Sequence, residues 1–278
     1  MNSKVESRQL VGVDFSSSPS RRKPITMALG SLQAGVLRLD ALRSLHSLDG
    51  FAAWLREPGP WLGGFDFPFG LPRTFVEANA LGASAEAVIT RLRVLCANRM
   101  AFRRLVDEWG NTQPAGYRLL HRQTDGAMPG ISSTSPLQTR YVPVGFMYFE
   151  GFSRLIDAGV DLPGLRTRSD PRVALEAYPG LLAQELIQRR SYKNSDEPDR
   201  LIARKEIVDA LEQGRTRLGL RLKLTHAKRE LLVDDPSGDQ LDAVLCLVQA
   251  AWASTQPGYG LPAQIDPVEG WIATVPGA

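Results

Sequence analysis

Two aspartates at the start of a helix-like segment are the first residues here whose type and spacing could support chemistry. Asp239 and Asp242 lie three positions apart in DDPSGDQLDAVLCLVQAAWA, residues 234–253, and side chains at this spacing share one helix face. The apolar residues that follow recur at helical spacing, so we predict that the rest of this helix is core. Aspartates also cap helix N-termini, and from this segment alone capping is the favoured interpretation.

Other acids in the chain favour chemistry over capping. Asp14 ends the apolar run QLVGVDF, Asp66 lies near the end of WLGGFDFPFG, and Glu176 lies near the end of VALEAYP; such runs are typical of buried strands. Asp14 could instead form the Ser-rich turn that follows it, and Glu176 could pair with a core arginine. Asp66 has apolar residues on both sides, an unfavourable place for a purely structural acid. Asp235 competes with Asp239 for the same role.

Carboxylates gathered from separate segments repel one another unless a cation lies between them, and hard divalent ions accept oxygen ligands. The sequence has no His/Cys cluster with zinc spacing, so the expected cofactor is Mg²⁺ or Mn²⁺. Two such ions about 3.5–4 Å apart can activate a water molecule and stabilise the leaving oxygen in phosphodiester hydrolysis. The predicted metal ligands are Asp14, Asp66, Asp239 and Asp242, and Glu176 is predicted to complete the catalytic set or to support it by a hydrogen bond.

The elements that must position these acids follow a recognisable order. QLVGVDF, ITMALGSL and GVLRLDAL predict a three-strand meander, residues 48–57 predict a helix, and a fourth strand follows the turn between Pro58 and Pro60. This order is typical of the ribonuclease-H-like fold, an α/β fold whose first and fourth strands are parallel neighbours, with a parallel fifth strand and flanking helices. It would place Asp14 beside Asp66.

Length and composition indicate one domain over residues 1–278. No apolar run approaches the roughly 18 residues that span a bilayer, and the N-terminal segment MNSKVESRQ lacks a signal-peptide core. The two cysteines, Cys96 and Cys246, both lie in apolar segments that look helical. We therefore expect no disulfide, no membrane contact and a cytoplasmic location.

Residues 72–158 read as a helical insertion within that domain. Residues 84–110 predict one long amphipathic helix with a basic face, which could serve as a homodimer interface, and GFMYFEGFSRLIDAG predicts another helix. Between them, residues 111–144 are rich in Gly, Pro, Ser and Thr, and a loop of this length is usually functional or mobile. Arg118 and Arg122 belong to a polar cluster in this loop that could face substrate.

The distribution of positive charge favours a phosphate-bearing partner. Net charge is only +3, but residues 188–229 contain twelve Lys or Arg against six Asp or Glu, and residues 91–104 add five arginines. A local basic surface suits nucleic acid, DNA or RNA, although a solvated helix face explains any single residue equally well. Arg99 and Lys205 are predicted substrate contacts from these stretches, beside Arg118 and Arg122.

The segments VGVDFSSS, GFDFPFGLP, LEAYPG, SYK…R…ARKEIVDAL and DQLDAVLCLVQAAWA…EGWI resemble the domain of unknown function 429 family along nearly the whole chain. That family is regarded as predicted nucleases of the ribonuclease-H-like superfamily, akin to Holliday-junction resolvases. The resemblance implies one acid on the first strand, one on the fourth and a D-x-x-D pair on the last helix. It matches the family's Tyr-Lys element to Tyr192 and Lys193, two further predicted substrate contacts. Resolvases carry Glu where this chain has Asp66.

Two other functions stay open from the sequence. A nucleic-acid- or partner-binding module could keep this fold and lack turnover. An ATP-dependent phosphotransferase ranks last, because actin-like kinases need two such domains and glycine-rich phosphate loops, and no Walker-type GxxxxGK[ST] motif occurs here. The leading prediction is a divalent-metal-dependent nuclease.

Overall fold

A computed structural model gives the fold of residues 8–130 and 133–277. Residues 1–7, 131–132 and 278 lie outside the described residues, and with them most of the N-terminal segment assessed above for a signal peptide. The chain forms a mixed α/β structure in which a six-stranded sheet is flanked by helices. Within the described residues, no helix combines the length and the apolar character needed to cross a membrane.

The sheet has the order β5-β4-β1-β2-β3-β6. β1, β2 and β3 form an antiparallel meander, whereas the pairs β1–β4, β4–β5 and β3–β6 are parallel. The predicted meander and the predicted parallel fourth and fifth strands are thus confirmed. The strands are β1 (Gln9–Asp14), β2 (Ile25–Gln33), β3 (Val36–Leu45), β4 (Trp61–Phe65), β5 (Arg172–Glu176) and β6 (Arg221–Lys223).

Helices cover both faces of the sheet. A π-helical segment, Tyr148–Phe152, joins two short helices, and 3-10 turns occur at Gln123–Gly126 and Pro257–Gly260. The α-helices are α1 (Leu48–Leu55), α2 (Arg73–Ala78), α3 (Ala85–Leu95), α4 (Arg99–Asn111), α5 (Val144–Met147), α6 (Ser153–Ala158), α7 (Pro179–Ile187), α8 (Pro198–Glu212), α9 (His226–Asp234) and α10 (Asp239–Ala253).

The prediction of one long helix over residues 84–110 is wrong, because the chain forms α3 and α4 instead. Cys96 is extended and ends α3, and Asn98 is extended with its side-chain oxygen accepting hydrogen bonds from the N–H groups of Met100 and Ala101. An asparagine in this position is a strong N-cap, which starts a new helix. The apolar periodicity continues across the break and conceals it.

Alternation along the strands divides the core into two layers. Val11, Val13 and Phe65 point to one face, where they pack with α1 and the aromatic side chains of the insertion. Leu10 and Leu62 point to the other face, where they pack with α7, α8 and α10. Successive side chains of a strand point to opposite faces of the sheet. Neighbouring residues along a strand therefore contribute to different layers of the core.

Irregular segments cover the backbone of the edge strand β5. The carbonyl of Asp161 accepts from Ala174 N–H at 3.0 Å, and Asp161 N–H donates to the Arg172 carbonyl at 2.9 Å. At the other end of the strand, Ala273 N–H donates to the Glu176 carbonyl at 2.8 Å. The C-terminal segment packs against the body through Trp271, which is buried in a cluster with Leu181 of α7 and whose indole N–H donates to the Val275 carbonyl.

Candidate metal centre

Asp14 and Asp66 stand side by side at the carboxyl ends of two neighbouring parallel strands. Val13 and Phe65 are paired in the β1–β4 register, and Asp66 N–H donates to the Val13 carbonyl at 2.9 Å. Asp14 is the last residue of β1, and Asp66 directly follows β4. Open α/β sheets bind their ligands at this end of the strands.

Two glycines let α10 lie directly on these strands. Gly12 and Gly64 are paired in the β1–β4 register, so together they form a flat area without side chains. A Cβ on Gly12 would lie 2.0 Å from the Ala243 carbonyl oxygen, and one on Gly64 would lie 2.6 Å from the Cys246 carbonyl oxygen. Only glycine permits so close an approach of helix to sheet. Asp14 and Asp66 each follow one of these glycines by two positions, so they share its face.

The first turn of α10 brings Asp242 to the two strand acids. Carboxylate oxygens of Asp14, Asp66 and Asp242 all lie within 4.8 Å of one another, and this group could hold a metal ion. Asp14 is 8 % exposed, Asp242 is 1 % exposed, and Asp66 is partly buried. Asp14 and Asp242 are therefore shielded from water, whereas Asp66 keeps some exposure, and hard divalent cations prefer oxygen-only donors of this kind.

Other residues carry out the capping that Asp239 and Asp242 could have performed. Asp235 accepts from Gln240 N–H at 3.1 Å, and Ser237 Oγ accepts from Asp239 N–H at 3.1 Å. Asp235 also accepts from the hydroxyl and the N–H of Ser237. Both Asp235 oxygens are thus engaged in the turn before α10, and Asp235 does not replace Asp239 at the site.

Asp239 lies beside the group of three rather than within it. Its Oδ1 is 3.8 Å from Lys23 Nζ, on the side of α10 that faces the turn between β1 and β2. Burial raises the pKa of Asp239, Lys23 opposes the shift, and Asp235 and Asp242 add to it. Among the described acids, the group that could hold a metal ion consists of Asp14, Asp66 and Asp242 and does not include Asp239, whose role at the site stays a prediction.

The clustered acids Asp14 and Asp66 have raised pKa values, because they are buried and lie close to other carboxylates. Burial raises the pKa of Asp14 well above its usual range, and the nearby charges of Asp242, Asp66 and Asp239 raise it further. Burial, followed by the charge of Asp242, raises the pKa of Asp66 to about 7. Close carboxylates hold on to protons in this way unless a cation neutralises them.

The side chains of Tyr192 and Lys193, both predicted as substrate contacts, are hydrogen-bonded to the Asp242 carboxylate. The Tyr192 hydroxyl donates to Asp242 Oδ1, and Lys193 Nζ donates to Asp242 Oδ2 at 2.5 Å. The buried Arg204 on α8 supports this segment from behind, since it donates to the Tyr192 carbonyl at 2.8 Å and to the Val233 carbonyl at 2.7 Å. Arg204 thus holds the two side chains against the acids.

Glu176 points away from the group of three because of its register. It is paired with Phe65 in the β4–β5 register, so it shares the face of Phe65, which is the opposite face from Asp66. There its two oxygens accept from Arg122 at 2.8 Å and 2.5 Å, and Oε2 also accepts from Phe69 N–H at 2.8 Å. Glu176 therefore supports the turn after Asp66, and a core arginine, one of the two alternatives at the sequence level, is its partner.

Arg122 does not fit the predicted role of a substrate contact. Its five N–H groups donate to Asp125, Glu176 and the Glu269 carbonyl, and its side chain is buried. Asp125 pairs with it at 2.8 Å. Burial acts to raise the pKa of Asp125, but the charge of Arg122 outweighs it and holds that pKa below the usual value. No donor of Arg122 is left for a phosphate.

The remaining predicted contacts lie at the surface. Arg99 donates to the Ser17 carbonyl at 2.5 Å and so contacts the loop that follows Asp14. Arg118 and Lys205 are exposed. Two residues that face or support the site were not predicted as such, Lys23 and Arg204. For Arg204 the only signal was its position in the segment that contains Lys205.

No protein-family model matches this chain, and comparisons with curated proteins and with solved structures give no significant match.

Proposed function

We propose that the protein is a divalent-metal-dependent nuclease with a ribonuclease-H-like fold, as the resemblance to the domain of unknown function 429 family implies. The observation that carries this proposal is the approach of three carboxylates from β1, the end of β4 and α10 to within 4.8 Å. The strand order and the parallel β1–β4 pair support the fold assignment. The cofactor is Mg²⁺ or Mn²⁺, because the donors are carboxylates alone.

In this proposal Asp14, Asp66 and Asp242 hold the metal. When bound, the metal supplies an activated water and stabilisation of the leaving oxygen of a phosphodiester. Tyr192 and Lys193 orient the Asp242 carboxylate, since each donates to one of its oxygens. Lys193 remains partly exposed and offers positive charge to a substrate phosphate.

One observation favours a second candidate, a nucleic-acid-binding module without turnover. The Lys193 ammonium lies 2.5 Å from Asp242 Oδ2 and already supplies positive charge to the acids. Burial acts against the charged form of Lys193, but the charges of Asp242 and Asp66 outweigh it and raise its pKa above the usual value. In such a module the Lys193 ammonium would permanently neutralise the acids, as a bound metal ion does in an enzyme.

Cleavage of labelled DNA and RNA in Mn²⁺ decides between the two. A nuclease requires that activity be lost in EDTA and in Asp14→Asn, while Asp49→Asn, at an exposed position in the first turn of α1, retains it. Salt-sensitive binding without metal-dependent cleavage supports the module. Cleavage that persists in Asp14→Asn contradicts the proposed metal centre.

A further inference from the structure

A cavity of about 620 Å³ opens beside the acids and shares residues with them. Asp66 lines it directly, and so do Tyr192 and Lys193, whose side chains are bonded to Asp242. This volume is within the range of sites that enclose a small molecule. Whatever enters the cavity therefore has one end next to the candidate metal centre.

The charged side chains in the lining differ in how they are paired. Lys193 is partly exposed and lies against Asp242, and Asp66 is one of the three clustered acids. Arg122 and Glu176 neutralise each other, and Ile272, which pairs with Glu176 in a parallel bridge, adds an apolar surface. A phosphate is favoured at Lys193 and at a metal held by the acids, and an uncharged group is favoured along the rest of the lining.

Apolar and aromatic side chains form part of the cavity wall. Pro68 and Met147 contribute to it, and so does Tyr178. The Tyr178 ring lies over Gly180, since a Cβ there would be 2.5 Å from the ring carbon Cζ, and Tyr178 N–H donates to Gln249 of α10 at 3.0 Å. The Tyr178 hydroxyl is also hydrogen-bonded to the Gln184 side chain, and this bond holds the ring in position. A flat unsaturated ring system is the group that such a wall accepts.

Polar side chains with both donors and acceptors complete the lining. Gln188 at the end of α7 and Ser191 line the cavity, and so does Gln184 on α7, whose side-chain amide is hydrogen-bonded to the Tyr178 hydroxyl. Gln188 has φ 57°, so the chain turns sharply there and residues 189–193 follow the cavity back towards Asp242. Amide side chains of this kind recognise the edges of nucleobases through hydrogen bonds.

We infer that this cavity binds a single unpaired nucleotide, with its phosphate at Asp66 and Lys193 and its base against the Tyr178 wall. A base within a duplex cannot enter, because its faces are covered by stacking and its edge by its partner. The substrate class is then a nucleotide that is single-stranded, terminal or unstacked. The orientation of the phosphate rests on the proposed metal centre, whereas base binding does not.

Fluorescence anisotropy of labelled oligonucleotides in Mg²⁺ tests this inference. A single strand with phosphorothioate linkages, which resist cleavage, is expected to bind at least about tenfold more tightly than the same sequence in a fully paired duplex, the effect of roughly one base stack. A 2-aminopurine within the strand is expected to lose fluorescence on binding, as it stacks on Tyr178. Equal affinity for strand and duplex would overturn the inference.

Two matched substitutions localise the effect. Val142 lines the cavity and is 58 % exposed, whereas Val94 on α3 is outside the lining and 73 % exposed. Val142→Trp is expected to weaken binding of the single strand about tenfold and Val94→Trp to leave it unchanged. Ser191→Trp adds bulk at a second exposed position of the lining and is expected to act like Val142→Trp. If neither cavity variant changes affinity, the nucleotide does not bind there.

Competition assays identify the source of the nucleotide, and cleavage assays test the metal centre independently. If a mononucleotide competes as strongly as the strand, the ligand is a free nucleotide; if the strand alone competes, it is a nucleotide within a chain. Strand binding without cleavage would leave this inference intact and contradict the nuclease. Equal metal-dependent cleavage of strand and duplex would support the nuclease and overturn this inference.

Discussion

Gly12 and Gly64 face each other across the parallel β1–β4 pair, and the backbone of α10 lies against both. This contact sets the distance between Asp242 and the two strand acids. We therefore expect Gly12→Ala to destabilise the protein by roughly 1–3 kcal/mol or more, because the added methyl group would overlap the Ala243 carbonyl and must move the helix.

The same substitution should also weaken metal binding, since the helix carries one of the ligands. Urea unfolding measures the first effect and calorimetric titration with Mn²⁺ the second. Gly126→Ala is the control, because a Cβ at Gly126 meets no atom within 4 Å. If Gly12→Ala binds Mn²⁺ as the unmodified protein does, the glycine contact does not position Asp242.

Metal affinity should rise with pH through neutrality. Asp66 has its pKa raised to about 7 by burial and by Asp242, and it must lose its proton before it can bind a cation. One proton displaced at this pKa predicts an affinity at least about tenfold higher at pH 8 than at pH 6, and a proton displaced from Asp14 would add to this. Titrations with Mn²⁺ in buffers of different ionisation enthalpy would report the released proton. An affinity independent of pH would mean that Asp66 is already ionised at pH 6.

Without metal, the stability of the protein should fall as pH rises from about 4 to about 7. The Asp66 pKa is 3.8 when unfolded and about 7 when folded. Across this interval the unfolded chain has lost a proton that the folded chain retains, so unfolding becomes more favourable as pH increases. Above about pH 7 Asp66 is ionised in both states, and its contribution to the loss is complete.

Asp66→Asn should remove the contribution of Asp66 to that decline. In EDTA at pH 8 the variant should be more stable than the unmodified protein by roughly 1–3 kcal/mol, and at pH 4 the two should be equal. Thermal unfolding at several pH values measures the difference. Asp49→Asn serves as the control and should follow the unmodified protein. A variant that shows the same slope as the unmodified protein would assign the decline to other groups.

Removal of Arg122 alone should destabilise the protein more than removal of Arg122 together with the charges of its two carboxylate partners. Arg122→Met leaves the buried carboxylates of Asp125 and Glu176 without a counter-charge, and the expected loss is about 3–5 kcal/mol. The triple variant with Asp125→Asn and Glu176→Gln should recover part of this loss. Denaturant unfolding tests the order, and a triple variant less stable than Arg122→Met would contradict it.

The sequence was sufficient to predict the strand acids, because apolar runs and their last polar residue specify where a strand ends. Asp14 and Asp66 were proposed on that basis, Asp242 was proposed from helical spacing, and the structure brings the three together. Glu176 also ends such a run, but its face depends on a pairing register that no local pattern reveals. A register shift of one residue would turn the Glu176 side chain from the face of the Arg122 network to the face of the metal centre.

The remaining differences have equally specific causes. The break at Asn98 is invisible to periodicity, since apolar positions on α3 and α4 continue the same spacing. Arg122 looked like a surface residue because it lies in a long polar loop, yet long-range pairing with β5 buries it. β6 was not predicted, as three residues with only Leu222 buried are too few to show alternation.

The backbone hydrogen bonds of Asp161 and Ala273 to the edge strand β5 affect the tendency of the protein to aggregate at high concentration. Unpaired N–H and carbonyl groups on an edge strand can recruit the same strand of another molecule and start aggregation. Here those groups are already engaged within the chain on the side of the sheet nearest the acids. At the opposite margin, β6 has only three residues, with two exposed cationic side chains. Both margins of the sheet are thus poor templates for intermolecular strand addition.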